Sequence, residues 1–287
     1  FFLLGLPSTQ PRISAASSMP MPKPAAVPQR ELLLLFVAYH PSSLEVDRLL
    51  ACLQILPQQI GYAVVVNDHR PGEEVEALAE GADYFLCCRD NPGYGRAINR
   101  LVKLIRNEPE FLAVMNTDLR WDSDCFPRLV AWLQSHPRVV LAVPQIIDGM
   151  GEIQKLCKRD PTLLALCSRR FLPDQLKPNW LKRYDHWYVM DDHDYSQIFD
   201  VPYLSGCCML IRRQPFQAVG GFDDDFFLYL EDADITRKLR AIGRCIHLPI
   251  ASIIHDWGRG NYKDFRLVLV NIHSAWVYFR KWGLRIW

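Results

Sequence analysis

Short apolar runs that end in polar residues recur along this chain, and they leave it few folds to choose from. Leu32–Ala38, Tyr62–Val66, Ala82–Cys87, Phe111–Met115 and Val139–Val143 are continuous or nearly continuous in apolar character. They are too short for ordinary helices, and their lack of alternation fits strands buried on both faces. Between them the apolar residues fall at helical spacing: Leu44, Leu49, Leu50 and Leu53, then Ala97 to Ile105, then a helix capped by Ser123 or Asp124 and running to Leu133. Gly72 to Glu80 reads as an acidic surface helix, and Arg89 to Gly95 as a loop. Strands alternating with helices need crossover connections. The expected fold is therefore α/β, a mostly parallel central sheet flanked by helices. In such sheets ligands bind beyond the carboxyl ends of the strands. The polar residues that follow strands are the first candidates: Tyr39-His40, Asn67-Asp68 and Asn116-Thr117-Asp118.

Composition narrows the function. The chain has 287 residues, 49% of them hydrophobic, and a net charge of +1. That is enough apolar material for a core, and too little positive charge for a general nucleic-acid binder. Nine cysteines are scattered with no C-x-x-C, which argues against a zinc site or a disulfide framework and fits a reducing cytoplasm. No run approaches the roughly 20 apolar residues that span a bilayer. Residues 1–30, rich in Pro, Ser and Ala, read as a flexible leader, and residues 31–287 as a single domain. Residues 148–200 are less regular. They carry Arg159, Arg169, Arg170, Lys177, Lys182 and Arg183, and then an aromatic, His and Asp stretch. This segment is read either as an inserted, partly mobile cover for an acceptor or as a surface loop without a ligand.

Three constellations carry chemistry. Asn116-Thr117-Asp118 closes a strand, where one carboxylate can hold a divalent cation that also bridges two phosphates. A plain turn is the alternative, because Asn and Asp form turns. Asn91-Pro92-Gly93-Tyr94-Gly95-Arg96-Ala97-Ile98-Asn99 reads as a glycine loop entering a helix, open to close approach by an anion such as a diphosphate. An ordinary loop is again the alternative. Ser205 to Ile242 is the densest stretch. A short apolar strand, Cys207 to Ile211, leads through Gly220-Gly221 and Asp223 to Asp225 into an aromatic segment, Phe226 to Leu230. That segment delivers Glu231, Asp232 and Asp234 to the start of a helix marked by Ile235, Leu239 and Ile242. Acids at a helix start are also favoured by the dipole and by capping alone. Packed aromatics beside clustered carboxylates suit a rigidly held general base.

The ordered series Ser205-Gly206, Gly220-Gly221-Phe222-Asp223, Phe226-Phe227, Tyr229 and Glu231-Asp232-Ala233-Asp234 resembles the C-terminal half of family 2 glycosyltransferases, including the bacterial rhamnosyltransferase-like branch. The resemblance runs from about Leu32 to Gly283 and is strongest at residues 91–99, 114–118 and 204–258. It implies a GT-A fold, with residues 31–145 as the nucleotide-sugar half and 146–287 as the acceptor and catalytic half. By the same resemblance Asn116-Thr117-Asp118 occupies the place of a D-x-D-like motif, with Asn where the fuller motif has Asp. His255 matches a family histidine near the metal or diphosphate. Asp232 is the implied base. Glu231, Asp234 and Trp257 are expected to bind the acceptor or position the base. Donor contacts are expected at Tyr39, Asp68, Asn91, Gly95, Arg96, Asn99, Asn116, Asp118 and Arg259. The metal, Mg²⁺ or Mn²⁺, is expected on Asp118 and His255. Asp68 departs from the family order, since Asn67-Asp68 stands where Asp-Asn is usual.

The resemblance implies transfer of a sugar with inversion, from dTDP-L-rhamnose or a UDP-hexose, to a lipid-linked or surface-glycan hydroxyl such as those of lipopolysaccharide assembly. A nucleotidyltransferase and a non-catalytic nucleotide-sugar-binding module are the other readings. The last helix, Asp264 to Trp282, mixes aromatic and aliphatic residues with Arg266, Arg280, Lys281 and Arg285 near its ends. It is read as a core helix or as one that touches a membrane surface, giving a cytoplasmic protein with peripheral contact at the inner face of the membrane.

Overall fold

The computed structural model describes residues 29–255 and 265–287. All but the last two residues of the expected leader therefore lie outside the described residues, as do Trp257 and Arg259. The chain opens with β1 (Leu32–Ala38), α1 (Ser43–Gln54) and β2 (Ile60–Val66). A 3-10 turn at Glu74–Ala79, not an α-helix, leads to β3 (Tyr84–Cys87), because Val75 and Leu78 are drawn into the core across too short a span. Then come α2 (Tyr94–Val102), β4 (Phe111–Met115), the two-residue β5 (Leu119–Arg120), α3 (Cys125–Gln134) and β6 (Val139–Ile147). Residues 148–200 are built, not loose: they hold α4 (Leu163–Phe171), α5 (Asn179–Tyr188) and β7 (Phe199–Asp200). The chain closes with β8 (Cys208–Arg212), α6 (Arg213–Ala218), α7 (Glu231–Arg240), β9 (Arg244–His255) and α8 (Phe265–Trp282).

The strands form one sheet in the order β3-β2-β1-β4-β8-β6-β9-β5, with β7 also on β9. Leu32 to Phe36 of β1 and all of β2 are buried. Full burial of each such leucine contributes about 1.5–3 kcal/mol. The β3-β2-β1-β4 half is parallel, as the alternation of strands and helices requires. The other half is mixed. β8 runs antiparallel to both β4 and β6, pairing Met115 with Cys208. An apolar run records burial but not direction, so the sense of β8 was not readable from its residues.

That sense decides where the site falls. It sets the start of β8 beside the end of β4, where the Asn116 backbone N–H donates to the Cys207 carbonyl at 2.9 Å. β9 contributes from the other side. Its register against β6 jumps from Leu248 opposite Pro144 to Ser252 opposite Gln145, so residues 249–251 bulge out. Past the bulge the strand continues to His255, which pairs with Leu119 on β5 and so sits next to Asp118. Pro249, the one apparent breaker in this run, lies in the bulge, where its missing N–H does no harm.

Candidate active site

A cleft of about 470 Å³ opens between the carboxyl end of β4 and the start of α7. Tyr229 and Leu230 both take left-handed backbone, with φ of 71° and 64°, and turn the chain into the helix. Glu231 and Asp232 thereby line the cleft. The Gly206 N–H donates to Asp232 Oδ2 at 3.0 Å, and the Ala233 N–H to Oδ1 at 3.0 Å. A Cβ on Gly206 would stand 3.2 Å from the Asp232 Cβ, so the small residue lets the base carboxylate seat against backbone. Both oxygens are held by N–H donors, as rigid placement of a base requires.

Glu231 is 7% exposed, and its Oε2 has no hydrogen-bond partner. Burial, and then the neighbouring Asp232 charge, raise its carboxyl to about 8. A protonated Glu231 is a hydrogen-bond donor and does not compete for the acceptor's proton. The folded state binds this proton more tightly than the unfolded chain does. Its stabilising contribution is therefore full below about pH 4.5 and is lost as pH rises through about 8. Glu231→Gln cannot titrate, and it is expected to flatten the fall in melting temperature across that interval. An unchanged slope would show that the carboxyl is not raised.

Across the cleft, His255 Nε2 lies 3.3 Å from Asp118 Oδ2. The ring's other nitrogen meets Gln154 Oε1 at 3.2 Å, and the Gln154 amide donates back to the His255 carbonyl at 3.0 Å. That arrangement fixes the ring and leaves Nε2 as the free lone pair when Nδ1 carries the proton. Asp118 Oδ1 and His255 Nε2 are both buried without a hydrogen-bond partner. Two such groups, one a carboxylate, suit a divalent cation whose remaining positions are filled by phosphates and water. Among the described residues no group of three or more His, Cys, Asp or Glu could hold a metal alone. The Cys207 thiol, pushed up to about 11 chiefly by burial, is also raised by both the Asp118 and the Asp232 carboxylates. The two expected centres share one cleft, which Asn116, Asp232 and His255 all line. The Tyr94 hydroxyl joins them, reaching Asn116 Oδ1 and the Gly206 carbonyl at 3.5 Å each.

Several expected donor contacts face elsewhere. The glycine loop is closed against the protein, not open to a ligand. Gly93 has φ of 91°, and a Cβ there would fall 2.2 Å from the Phe227 carbonyl oxygen; a Cβ on Gly95 would meet Phe222. Asn99 donates to the Phe222 carbonyl at 2.8 Å and accepts from the Phe222 N–H at 3.1 Å. Arg96 donates to the Asp224 carbonyl. Asn91 Oδ1 accepts from the Gly93 N–H at 3.0 Å and the Asn67 amide at 3.3 Å. Gly95, Arg96 and Asn99 therefore clamp the Gly220–Phe227 segment onto α2, while Asn91 closes its own turn against Asn67; α2 begins three residues earlier than its apolar pattern suggests. Gly93→Ala forces both the clash and a disfavoured φ. It is expected to lower unfolding free energy by at least about 1–3 kcal/mol, read by chemical denaturation.

Asp234 is also reassigned. It is 0% exposed, accepts from Trp282 Nε1 at 2.8 Å and pairs with Lys281 at 2.8 Å. It ties α7 to α8 and does not line the cleft, because the helical repeat turns it away from Asp232. At the sheet's other end Tyr39 is exposed. Asp68 is held by His40 Nε2 at 2.9 Å, which keeps its carboxyl below the usual range. Asp68 remains half-exposed at the strand end, accessible to a donor's base or ribose.

Lining groups that the sequence reading did not single out as site residues include Tyr94, Gln154, Lys158, Tyr188 and Tyr203. Tyr94 lay inside a noted motif. Gln154, Lys158 and Tyr188 come from the irregular stretch with no motif to mark them, and Tyr203 stands just before Ser205-Gly206. Of the basic residues noted there, Arg169 and Arg170 reach the cleft. Lys177 instead pairs with Asp185 at 2.7 Å, and Arg159 with Asp192 at 2.6 Å.

A half-parallel α/β sheet thus holds an acidic helix start and a carboxylate–histidine pair on one cleft, a base and a cation site placed to serve a single transfer reaction. A family model described as glycosyl transferase family 2 matches residues 45–220. The chain belongs to that family. It is 26% identical over 265 residues to an N-acetylglucosaminyl-diphospho-decaprenol L-rhamnosyltransferase of Mycobacterium tuberculosis, covering 84% of each chain. Solved structures share the fold. GalNAc-T7 with UDP, GalNAc and Mn²⁺ gives a TM-score of 0.59 at 14% identity, over 80% of this chain and 44% of that one. The mannosyltransferase PcManGT of Pyrobaculum calidifontis with GDP-Man and Mn²⁺ gives 0.58 at 15% identity, over 90% and 68%.

Proposed function

We propose that this glycosyltransferase moves L-rhamnose from dTDP-L-rhamnose, with inversion, to a hydroxyl of a lipid-linked acceptor used in building a bacterial surface glycan. The observation that carries the mechanism is that Asp232 and His255 line one cleft, with Asp118 paired to His255. The mycobacterial relative, an L-rhamnosyltransferase to N-acetylglucosaminyl-diphospho-decaprenol, supports rhamnose as the sugar and a lipid-linked acceptor.

Asp232 Oδ atoms, fixed by backbone N–H groups, take the proton from the acceptor hydroxyl as its oxygen attacks the anomeric carbon. Attack from the α7 side, opposite the Asn116–Asp118 end, inverts that carbon in a single displacement. Glu231, holding its own proton, orients the acceptor by donating a hydrogen bond. Asp118 and His255 would hold Mg²⁺ or Mn²⁺ on the donor's diphosphate, where such a cation neutralises charge developing on the leaving group. Tyr94 keeps Asn116 and Gly206 in register. Nothing in the donor half distinguishes rhamnose from a hexose, so UDP-hexoses are the second reading.

The test is turnover of dTDP-L-rhamnose and a panel of UDP- and GDP-sugars with Mg²⁺ or Mn²⁺ and a sugar-diphosphate-prenol acceptor. Nucleoside diphosphate release with dTDP-L-rhamnose alone supports the reading. Preference for a UDP-sugar moves it to the second. Pyrophosphate release from a triphosphate would indicate a nucleotidyltransferase, and binding without any product a non-catalytic module.

The reading includes contact with the inner face of the membrane. Ser274, Val277 and Tyr278 bury one face of α8, which resolves it as a packed helix. Its other face carries Phe265, Leu269, Ile272 and Trp276 at 70%, 52%, 52% and 55% exposure, spaced as one helical stripe and flanked by Arg266, His273 and Arg280. An apolar stripe with a basic rim complements an anionic lipid surface. No described helix is long and apolar enough to cross a membrane. The protein is expected to sediment with phosphatidylglycerol vesicles. Leu269→Asp with Trp276→Asp should weaken this at least about tenfold; no sedimentation of the unaltered protein at low salt rejects the contact.

A further inference from the structure

The wall of the cleft behind the base holds cationic and donor groups that the reaction above does not use. Lys158, Arg169 and Tyr188 all line it. The Lys158 ammonium sits 4.4 Å from the centre of the Tyr203 ring, and its one hydrogen bond among the described residues is to the Tyr203 hydroxyl at 3.4 Å. Neither Lys158 nor Arg169 has a carboxylate within ion-pairing distance among the described residues, whereas Lys155, Arg159 and Lys177 in the same segment each do. The Tyr188 hydroxyl is buried with no hydrogen-bond partner, in a residue only 1% exposed. Removal from water lowers the Lys158 pKa, the Asp232 charge raises it, and the nearby Arg169 lowers it. A half-buried lysine and an exposed arginine, neither in an ion pair among the described residues, meet a buried hydroxyl that lacks a partner, and together they suit an anion.

We infer that Lys158, Arg169 and Tyr188 form a subsite for the diphosphate, or a single phosphate, that joins the acceptor sugar to its lipid. This rests on the reading of the protein as a transferase to a lipid-linked acceptor. The donor's diphosphate belongs at the opposite end, with Asp118 and His255. Lys158 instead faces Asp232, where the accepting hydroxyl must lie. Beyond Arg169 the wall runs along α4 to an apolar rim. There the Leu163 N–H donates to the Arg285 carbonyl at 2.8 Å and the Leu164 N–H to the Ile286 carbonyl at 2.9 Å, which pins the exposed Leu284, Ile286 and Trp287 beside α4. Sugar, anion and hydrocarbon thus meet base, cations and apolar rim in that order.

The test uses Lys158→Met, Arg169→Gln and the charge-conserving Lys158→Arg in the full chain. Two acceptors with the same sugar are compared, one as a short prenyl diphosphate and one as a neutral alkyl glycoside. Loss of one charged hydrogen bond to the anion should cut the preference for the diphosphate acceptor about 10–100-fold in the first two variants. Lys158→Arg should recover most of it, and the KM for the donor should stay unchanged. Geranyl diphosphate should raise the melting temperature of the unaltered protein more than that of Lys158→Met. That measurement needs no turnover, so it tests the subsite even if no sugar is transferred and the broader reading fails. Equal losses with both acceptors, a raised donor KM, or an equal melting shift in protein and variant would each overturn the inference.

Discussion

Asp232→Asn is expected to lower turnover by about 10³-fold while nucleotide-sugar binding stays within a few-fold of the unaltered enzyme. General base catalysis contributes 10²–10⁴-fold, and no other group on the α7 side can replace it. Glu231 already carries a proton, and Asp234 is sealed between Trp282 and Lys281. The asparagine carbonyl can still accept from the Gly206 N–H, so the local structure survives and the loss reports chemistry. Steady-state rates paired with calorimetric titration of the donor nucleotide separate the two effects. A variant that keeps more than a tenth of its turnover would remove Asp232 from the reaction.

Asp118→Ala is expected to weaken Mn²⁺ binding in the presence of a nucleoside diphosphate by about 10²-fold or more, with turnover falling in parallel. Loss of an outer-shell partner alone costs 10–100-fold in metal affinity, and a direct carboxylate ligand should matter at least as much. The readout is the Mn²⁺ electron paramagnetic resonance signal, which does not depend on catalysis. Asp118 has an orphaned buried oxygen in the present structure, so removing the side chain takes away a binding group and not a packing contact. His255→Gln should have a smaller effect, because Gln154 would still hold the substituted side chain in place. Undiminished Mn²⁺ affinity in Asp118→Ala would separate this carboxylate from the metal.

Much of this was legible in advance, and the failures have a common form. Leu32–Ala38 and Phe111–Met115 are strands at the boundaries their apolar runs indicate, because burial on both faces writes itself directly into composition. Asp232, Asp118 and His255 stand out by their motifs; Asp232 and His255 line one cleft, and Asp118 pairs with His255. Asn91, Gly95, Arg96 and Asn99 share a spacing that suits phosphate binding. The same spacing also suits clamping a neighbouring loop, and only the presence of Phe222 and Phe227 against α2 decides between the two. Asp234 could not be separated from Asp232 by type; the turn of the helix separates them. Lys158 escaped notice because nothing local distinguishes it from Lys155, which is paired at the surface.

From the residues alone came the α/β class, the positions of the buried strands and the chemical groups offered at their ends, since period and polarity are local properties of a chain. Three-dimensional packing decided that β8 runs against its neighbours and that β9 bulges before His255. Those two long-range choices bring residues more than a hundred positions apart in the chain to one cleft. Strand direction and register depend on partners distant in the chain, so no local pattern could have carried them.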